Sequence, residues 1–156
     1  YCVEQNAECA SKVVPKAHAH EKVGVIMKRD GRVSVVEYSE IDKETAEATN
    51  PDGSLVYSAC HLCINYFTRS FFVRAAAEML DQLPLHVAHK AIPYYDVTSD
   101  SIIKPEKPNG IKMELFIFDT FPFTERYAAL EIDRLEEFAP VKNAPGSDSD
   151  SPDTAR

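Results

Sequence analysis

Two runs rich in β-forming residues, 22–28 and 32–38, flank Arg29-Asp30-Gly31. Asp-Gly gives the backbone the freedom that a tight reversal needs, so residues 22–38 are predicted to form an antiparallel hairpin about which the rest must be arranged. Ser39 stands three residues before Asp42, an acidic capping pattern that opens a short polar helix through Thr45 and Ala48, and Asn50-Pro51-Asp52-Gly53 ends it in a turn. Residues 54–67 are mostly apolar and predict a strand at their start and a buried passage over 60–66. A helix is expected over 70–80, with Phe72, Ala75, Ala76 and Met79 on its apolar face and Leu83-Pro84 closing it. A short strand is expected over 91–96. Turn chemistry over 104–110 leads into the aromatic segment 111–123, whose spacing suits strand and helix alike, and 127–135 resembles another strand. Hairpin, crossover helices and further strands together predict an α/β domain with a mixed sheet over residues 1–142. Residues 143–156 are small, polar and acidic, and are expected to be a flexible linker.

With 156 residues and an apolar fraction of 44%, the chain can build one core. Acidic residues outnumber basic ones 25 to 17, a formal charge of -8. Such a surface repels phosphate backbones, so nucleic acid is not an expected partner. No apolar run approaches the roughly 18 residues of a membrane span, and the opening residues lack the order of a signal peptide. A soluble, cytoplasmic protein with no membrane partner is expected. The four cysteines, Cys2, Cys9, Cys60 and Cys63, are read as reduced thiols. Cys60-His61-Leu62-Cys63 has the spacing of half a zinc site but no second ligand pair, so no metal site is expected within the chain.

None of the five glycines belongs to a phosphate-cradling loop. If phosphates are handled here, single lysines placed by loops must meet them, and Lys112, after Asn109-Gly110, and Lys142, after Pro140, are the candidates. The plain alternative is a surface lysine lying along apolar neighbours. Glu37 and Tyr38 at a strand end, with Phe116 and Phe118, supply the carboxylate and aromatic walls that recognition of sugar hydroxyls requires. Core aromatics beside a solvated acid is the alternative. His18 and His20, and likewise His86 and His89, are read as solvated loop residues.

Four strings in order carry a resemblance: Val23-Gly24-Val25; Val35-Val36-Glu37-Tyr38-Ser39-Glu40-Ile41; Lys107-Pro108-Asn109-Gly110-Ile111-Lys112-Met113-Glu114 with Phe116, Phe118 and Asp119; and Glu137-Phe138-Ala139-Pro140-Val141-Lys142-Asn143-Ala144. They resemble successive motifs of the eukaryotic UDP-N-acetylglucosamine pyrophosphorylases. The resemblance implies a Rossmann-like mixed-sheet nucleotidyltransferase domain. The implied reaction is uridylyl transfer from UTP to N-acetylglucosamine 1-phosphate, giving UDP-N-acetylglucosamine and pyrophosphate with magnesium. It further implies that Gly24 offers its backbone to the sugar, that Glu37 and Tyr38 recognise it, and that Phe116 and Phe118 line the pocket. Lys112 would contact the UTP phosphates and Lys142 the sugar phosphate. Where the family carries Gly-Asn at a sugar contact, this chain has Cys60-His61, which makes His61 the candidate there and leaves another hexose open. The family's nucleotide loop, uracil-binding residues and magnesium ligand are expected before Tyr1, and its C-terminal domain after Arg156. The chain therefore reads as an internal part of a longer polypeptide, inactive or nearly so alone. A sister enzyme for another sugar phosphate, or a paralogue without turnover, are the alternatives.

Overall fold

The computed structural model describes residues 1–155. Its centre is a five-stranded sheet built from β1 (Cys9–Pro15), β2 (Val25–Arg29), β3 (Arg32–Val36), β4 (Ala59–Phe67) and, from far along the chain, Tyr127–Glu131. Between β4 and that last strand run β5 (His86–Lys90), β6 (Tyr94–Asp96), β7 (Ser101–Ile103) and β8 (Gly110–Glu114), so the Tyr127–Glu131 strand is β9. The order across the sheet is β3-β2-β4-β1-β9; β1 runs parallel to β9 and antiparallel to β4, giving the mixed α/β sheet expected. β5 with β8, and β6 with β7, form separate two-stranded ladders.

The predicted hairpin is β2 and β3, paired from Val25 with Val36 to Arg29 with Arg32. The reversal needs only Asp30 and Gly31, whose φ values of 51° and 76° are both left-handed, the pattern of the two-residue turn that matches strand twist. The following helix, α1 (Lys43–Glu47), starts later than Ser39 suggests: Asp42 is the cap, accepting from the Thr45 N–H at 2.8 Å, because the Glu40 and Ile41 amides are turned back onto the Glu37 carbonyl.

Helix α2 (Arg69–Glu78) is capped by Thr68 and buries Phe71, Ala75 and Met79; Phe72, expected on the inner face, is 47% exposed. Phe71 wins the inner position because it stacks on Phe67 of β4, ring centroids 6.1 Å apart. The strand expected over 91–96 is split: β5 precedes it and only Tyr94–Asp96 remains. The aromatic segment resolves as both of its readings, β8 and then a 3-10 turn over Ile117–Phe123 that points Phe118 and Phe121 inward. The last strand stops at Glu131, since Asp133 caps a short helix, α3 (Arg134–Glu137). Cys9, Val35, Phe71, Met79, Phe118 and Phe121 form the main core between sheet, α2 and 3-10 turn, and Val14, Val23 and Cys60 a smaller one.

Residues 143–155 carry turns held by Lys142 and Asn143 amides on the Asp150 carbonyl, 2.7 and 2.8 Å, and by a buried Ser151. Arg156, the last residue of the expected linker, lies outside the described residues. Among the described residues no helix is long and apolar enough to cross a membrane.

Candidate functional site

Where β3 ends, Glu37 lies directly over Gly24. A Cβ built on Gly24 would stand 2.9 Å from Glu37 Oε1 and 3.0 Å from Val35 Cγ1, closer than side chains approach. Gly24 also joins the next strand, its carbonyl accepting from the His61 N–H at 2.8 Å. Burial, and then the charge of Glu40, push the Glu37 carboxyl above its usual range; His86 and Lys142 pull the other way and Asp119 adds to the rise. Those partners come from four separate stretches of the chain, so Glu37 is a meeting point of the fold.

Phe116 and Phe118 stack at 4.8 Å and form one aromatic wall. His61 meets Phe118 edge-on at 5.1 Å and Phe121 at 5.9 Å. It is buried and its nitrogens are turned inward: Nε2 lies 3.0 Å from Asn65 Oδ1, which also accepts from Ser11 at 2.6 Å, and Nδ1 lies 3.8 Å from Cys63 Sγ. Burial lowers the His61 pKa against the pull of the Asn65 hydrogen bond, so the ring is neutral and packs as an aromatic. A β-bulge creates this arrangement. Val13 pairs with His61 and Ser11 with Asn65, leaving Leu62, Cys63 and Ile64 against Lys12, and Cys63 turns the corner at φ 59°.

His86 was expected in a solvated loop, and the structure corrects this. It opens β5 and its ring is gripped from both sides, Nδ1 3.0 Å from Glu40 Oε1 and Nε2 2.9 Å from Asp119 Oδ2, with Phe116 tilted against it at 4.6 Å. Burial works to lower its pKa, but hydrogen bonds to Asp119 and Glu40, and their charges, hold it above the ordinary value. Both nitrogens can donate only in the imidazolium, so two carboxylates sharing one ring favour the charged form, even though burial lifts the Asp119 carboxyl. No sequence signal marks this role: in the run His86–Lys90 the apolar Val87 is exposed while His86 and Ala88 are partly covered.

Lys142 and Tyr38 share a cavity of about 650 Å³ with His18, His20, Lys22 and Phe138. The Lys142 ammonium donates weakly to the Lys22 carbonyl at 3.4 Å, and its charge reaches Glu37 and Cys63. A second cavity, of about 430 Å³, is lined by Arg29, Glu40, His86, Phe118 and Asp119. Gly24, Glu37 and Tyr38 lie at the end of β3, but Tyr38 and Lys142 line the first cavity and Phe118 the second, with Phe116 stacked beside Phe118. Lys112 is not among them: it faces Ala88 across the β5–β8 ladder, is 56% exposed, and pairs with Glu114 at 2.7 Å. His20 is exposed in its loop, as expected, and meets Glu47 at 2.8 Å on the surface.

The four cysteines are free thiols. Burial pushes Cys9 up to about 12 and Cys60 up to about 11, far from a reactive thiolate. Among the described residues no three His, Cys, Asp or Glu side chains are grouped to hold a metal ion.

A profile of the UTP–glucose-1-phosphate uridylyltransferase family matches residues 1–147. Over its full length the chain is 51% identical to UDP-N-acetylhexosamine pyrophosphorylase-like protein 1 of Homo sapiens, of which it covers 31%. It is 40% identical to the UDP-N-acetylglucosamine pyrophosphorylase of Saccharomyces cerevisiae, again over all its residues and 33% of that protein. The crystal structure of the uridine diphosphate N-acetylglucosamine pyrophosphorylase from Trypanosoma brucei matches 99% of the chain with a TM-score of 0.82 at 31% identity, 30% of that structure being covered. The chain thus spans about a third of the length of the curated relatives it matches.

Proposed function

Since the chain belongs to the UTP–glucose-1-phosphate uridylyltransferase family, we propose that it forms the sugar-recognising part of an enzyme that joins UTP and N-acetylglucosamine 1-phosphate. The products are UDP-N-acetylglucosamine and pyrophosphate. One observation carries the reading: Glu37 closes on the bare backbone of Gly24, with Lys142 near enough for its charge to be felt there. A hexose presents hydroxyls in a ring plane and a phosphate at one corner. Glu37 accepts from the hydroxyls, Gly24 lets the ring approach the backbone, Phe116 and Phe118 cover its apolar face, and Tyr38 closes the side toward Lys142.

In the reaction a sugar-phosphate oxygen attacks the α-phosphorus of UTP, and the bond to the β-phosphate oxygen breaks, releasing pyrophosphate. Like charges oppose that approach, and Lys142 at the sugar phosphate offsets them in the transition state. Lys112 serves the UTP phosphates, which requires leaving Glu114; an exposed pair of this kind holds it by no more than about 1 kcal/mol. Magnesium and the uridine grip come from polypeptide outside these residues. The enzyme works in the cytoplasm, and its partners are UTP, the hexosamine 1-phosphate and the remaining parts of the same polypeptide, with neither nucleic acid nor membrane.

A specific observation favours a second reading on the sugar. His61 spends both nitrogens within the protein, so the contact a family asparagine would make to an acetamido sugar is not offered, and a different hexose 1-phosphate fits a site without it. Pyrophosphate release by the full-length protein, with UTP and either N-acetylated or plain hexose 1-phosphates, decides between the two. No release with any sugar phosphate overturns both.

A further inference from the structure

We propose that His86 is the positioning residue of the sugar site: by bridging Glu40 and Asp119 it clasps the carboxylate half of the pocket, Glu37 and Tyr38, to the aromatic half, Phe116 and Phe118. The inference rests on the functional reading above. Each carboxylate that His86 holds is tied to a different half. Glu40 belongs to the turn that Glu37 itself closes, its amide donating to the Glu37 carbonyl at 2.9 Å. Asp119 follows Phe118 directly, and its amide donates to the Phe116 carbonyl at 3.1 Å. These two turns come from opposite ends of the chain, and the imidazole, ion-paired to both and packed on Phe116, fixes how far apart they stand. With both nitrogens committed, His86 has no polar atom left for a ligand and acts only through the residues it holds.

The clasp depends on the ring being charged. Around it stand Glu40 from the turn after β3, Asp119 from the 3-10 turn, Arg29 from the end of β2 lining the same cavity, and Glu114, paired with Lys112, opposite on β8; Glu37 lies near enough for its pKa to feel the imidazole. When the ring loses a proton it can donate to only one carboxylate, and the other, whether half-exposed Glu40 or the more deeply covered Asp119, loses its partner. Two halves that are no longer tied change the distance between the acceptor and the aromatic wall, which affects sugar binding more than phosphoryl transfer.

The test uses the full-length protein and His86→Phe, which keeps a ring against Phe116 and removes both donors. Pyrophosphate release is measured against N-acetylglucosamine 1-phosphate and against UTP from pH 6 to 9. We expect the KM for the sugar phosphate to rise roughly tenfold or more, with kcat and the KM for UTP changed less than about twofold. In the wild type that sugar KM should climb as pH rises through the His86 titration, above about 6.5, and the climb should be absent in the variant. His86→Phe combined with Asp119→Asn removes the unpaired buried charge, folds where the single variant does not, and should show the same KM split. His86→Gln, which keeps one donor, should fall between. An active wild type with an unchanged sugar KM in a folded variant, or an equal loss in kcat and in both KM values, overturns the inference. A wild type that releases no pyrophosphate overturns the functional reading, and the inference falls with it.

Discussion

The two hairpins that flank the site are built on opposite principles. β2 and β3 are joined by two left-handed residues and belong to the central sheet; the ladder of β5 and β8 is closed by a long detour through β6 and β7 and stands outside that sheet. The first delivers Gly24 and Glu37 to one another by register alone, since Val25 pairs with Val36 and the next residues of each strand must meet. The second delivers His86, which is held by ion pairs to Glu40 and Asp119 rather than by register with the sheet. Local turn chemistry therefore sets one half of the pocket and long-range charge sets the other, and the two halves should fail differently.

The largest effect expected is from Lys142→Ala, on the side of the first hairpin: kcat of the full-length protein should fall about 10²- to 10³-fold, as for loss of one cation or donor at a transferring centre. An unchanged kcat would remove Lys142 from the mechanism. Gly24→Ala should lower kcat/KM for the sugar phosphate by about 10²-fold and also lower the urea midpoint, because the added methyl displaces the flexible end of Glu37 and presses on Cγ1 of buried Val35. A variant with normal kcat/KM would detach Gly24 from the sugar.

The second hairpin should show its dependence on charge in stability. His86 is held above its ordinary pKa, so its ion pairs contribute fully at low pH and are lost as pH rises through the folded value. Urea midpoints between pH 6 and 9 should decline over that window and the decline should flatten in Asp119→Asn; a pH-independent difference between the two proteins would contradict this. Smallest is Thr68→Ala, which removes the cap of α2, the frame both halves share: about 1 kcal/mol of stability with normal kinetics, read by urea unfolding.

The same contrast explains what could be read in advance. Asp30-Gly31, the valine runs and the acid at the strand end are local signals, and the hairpin, Glu37 and the mixed sheet follow from them. α2 was legible as a helix, yet its inward face is displaced by one residue because Phe71 answers to Phe67 and Phe121, which the helix period does not contain. β5 was missed because its partner lies beyond an intervening hairpin and only His86 and Ala88 of its residues are partly covered. Nothing near His86 in the chain announces Glu40 or Asp119, so its role depends on contacts no short window holds. Lys112 shows the converse: its string stood out, but its side chain lies along an exposed ladder beside Glu114.

The bulge in β4 governs which side chains the sheet can present. Four steps along β4, from His61 to Asn65, match two along β1, from Val13 to Ser11, so the excess is even. An even excess conserves parity: residues before and after it keep their assignment to the two sides of the sheet. Removing two of residues 62–64 would restore regular pairing and cost only the corner at Cys63, whereas removing one would leave two residues opposite Lys12, the count of an ordinary bulge. The three residues facing Lys12 are therefore where β4 can change length while its flanking pairs stay in place.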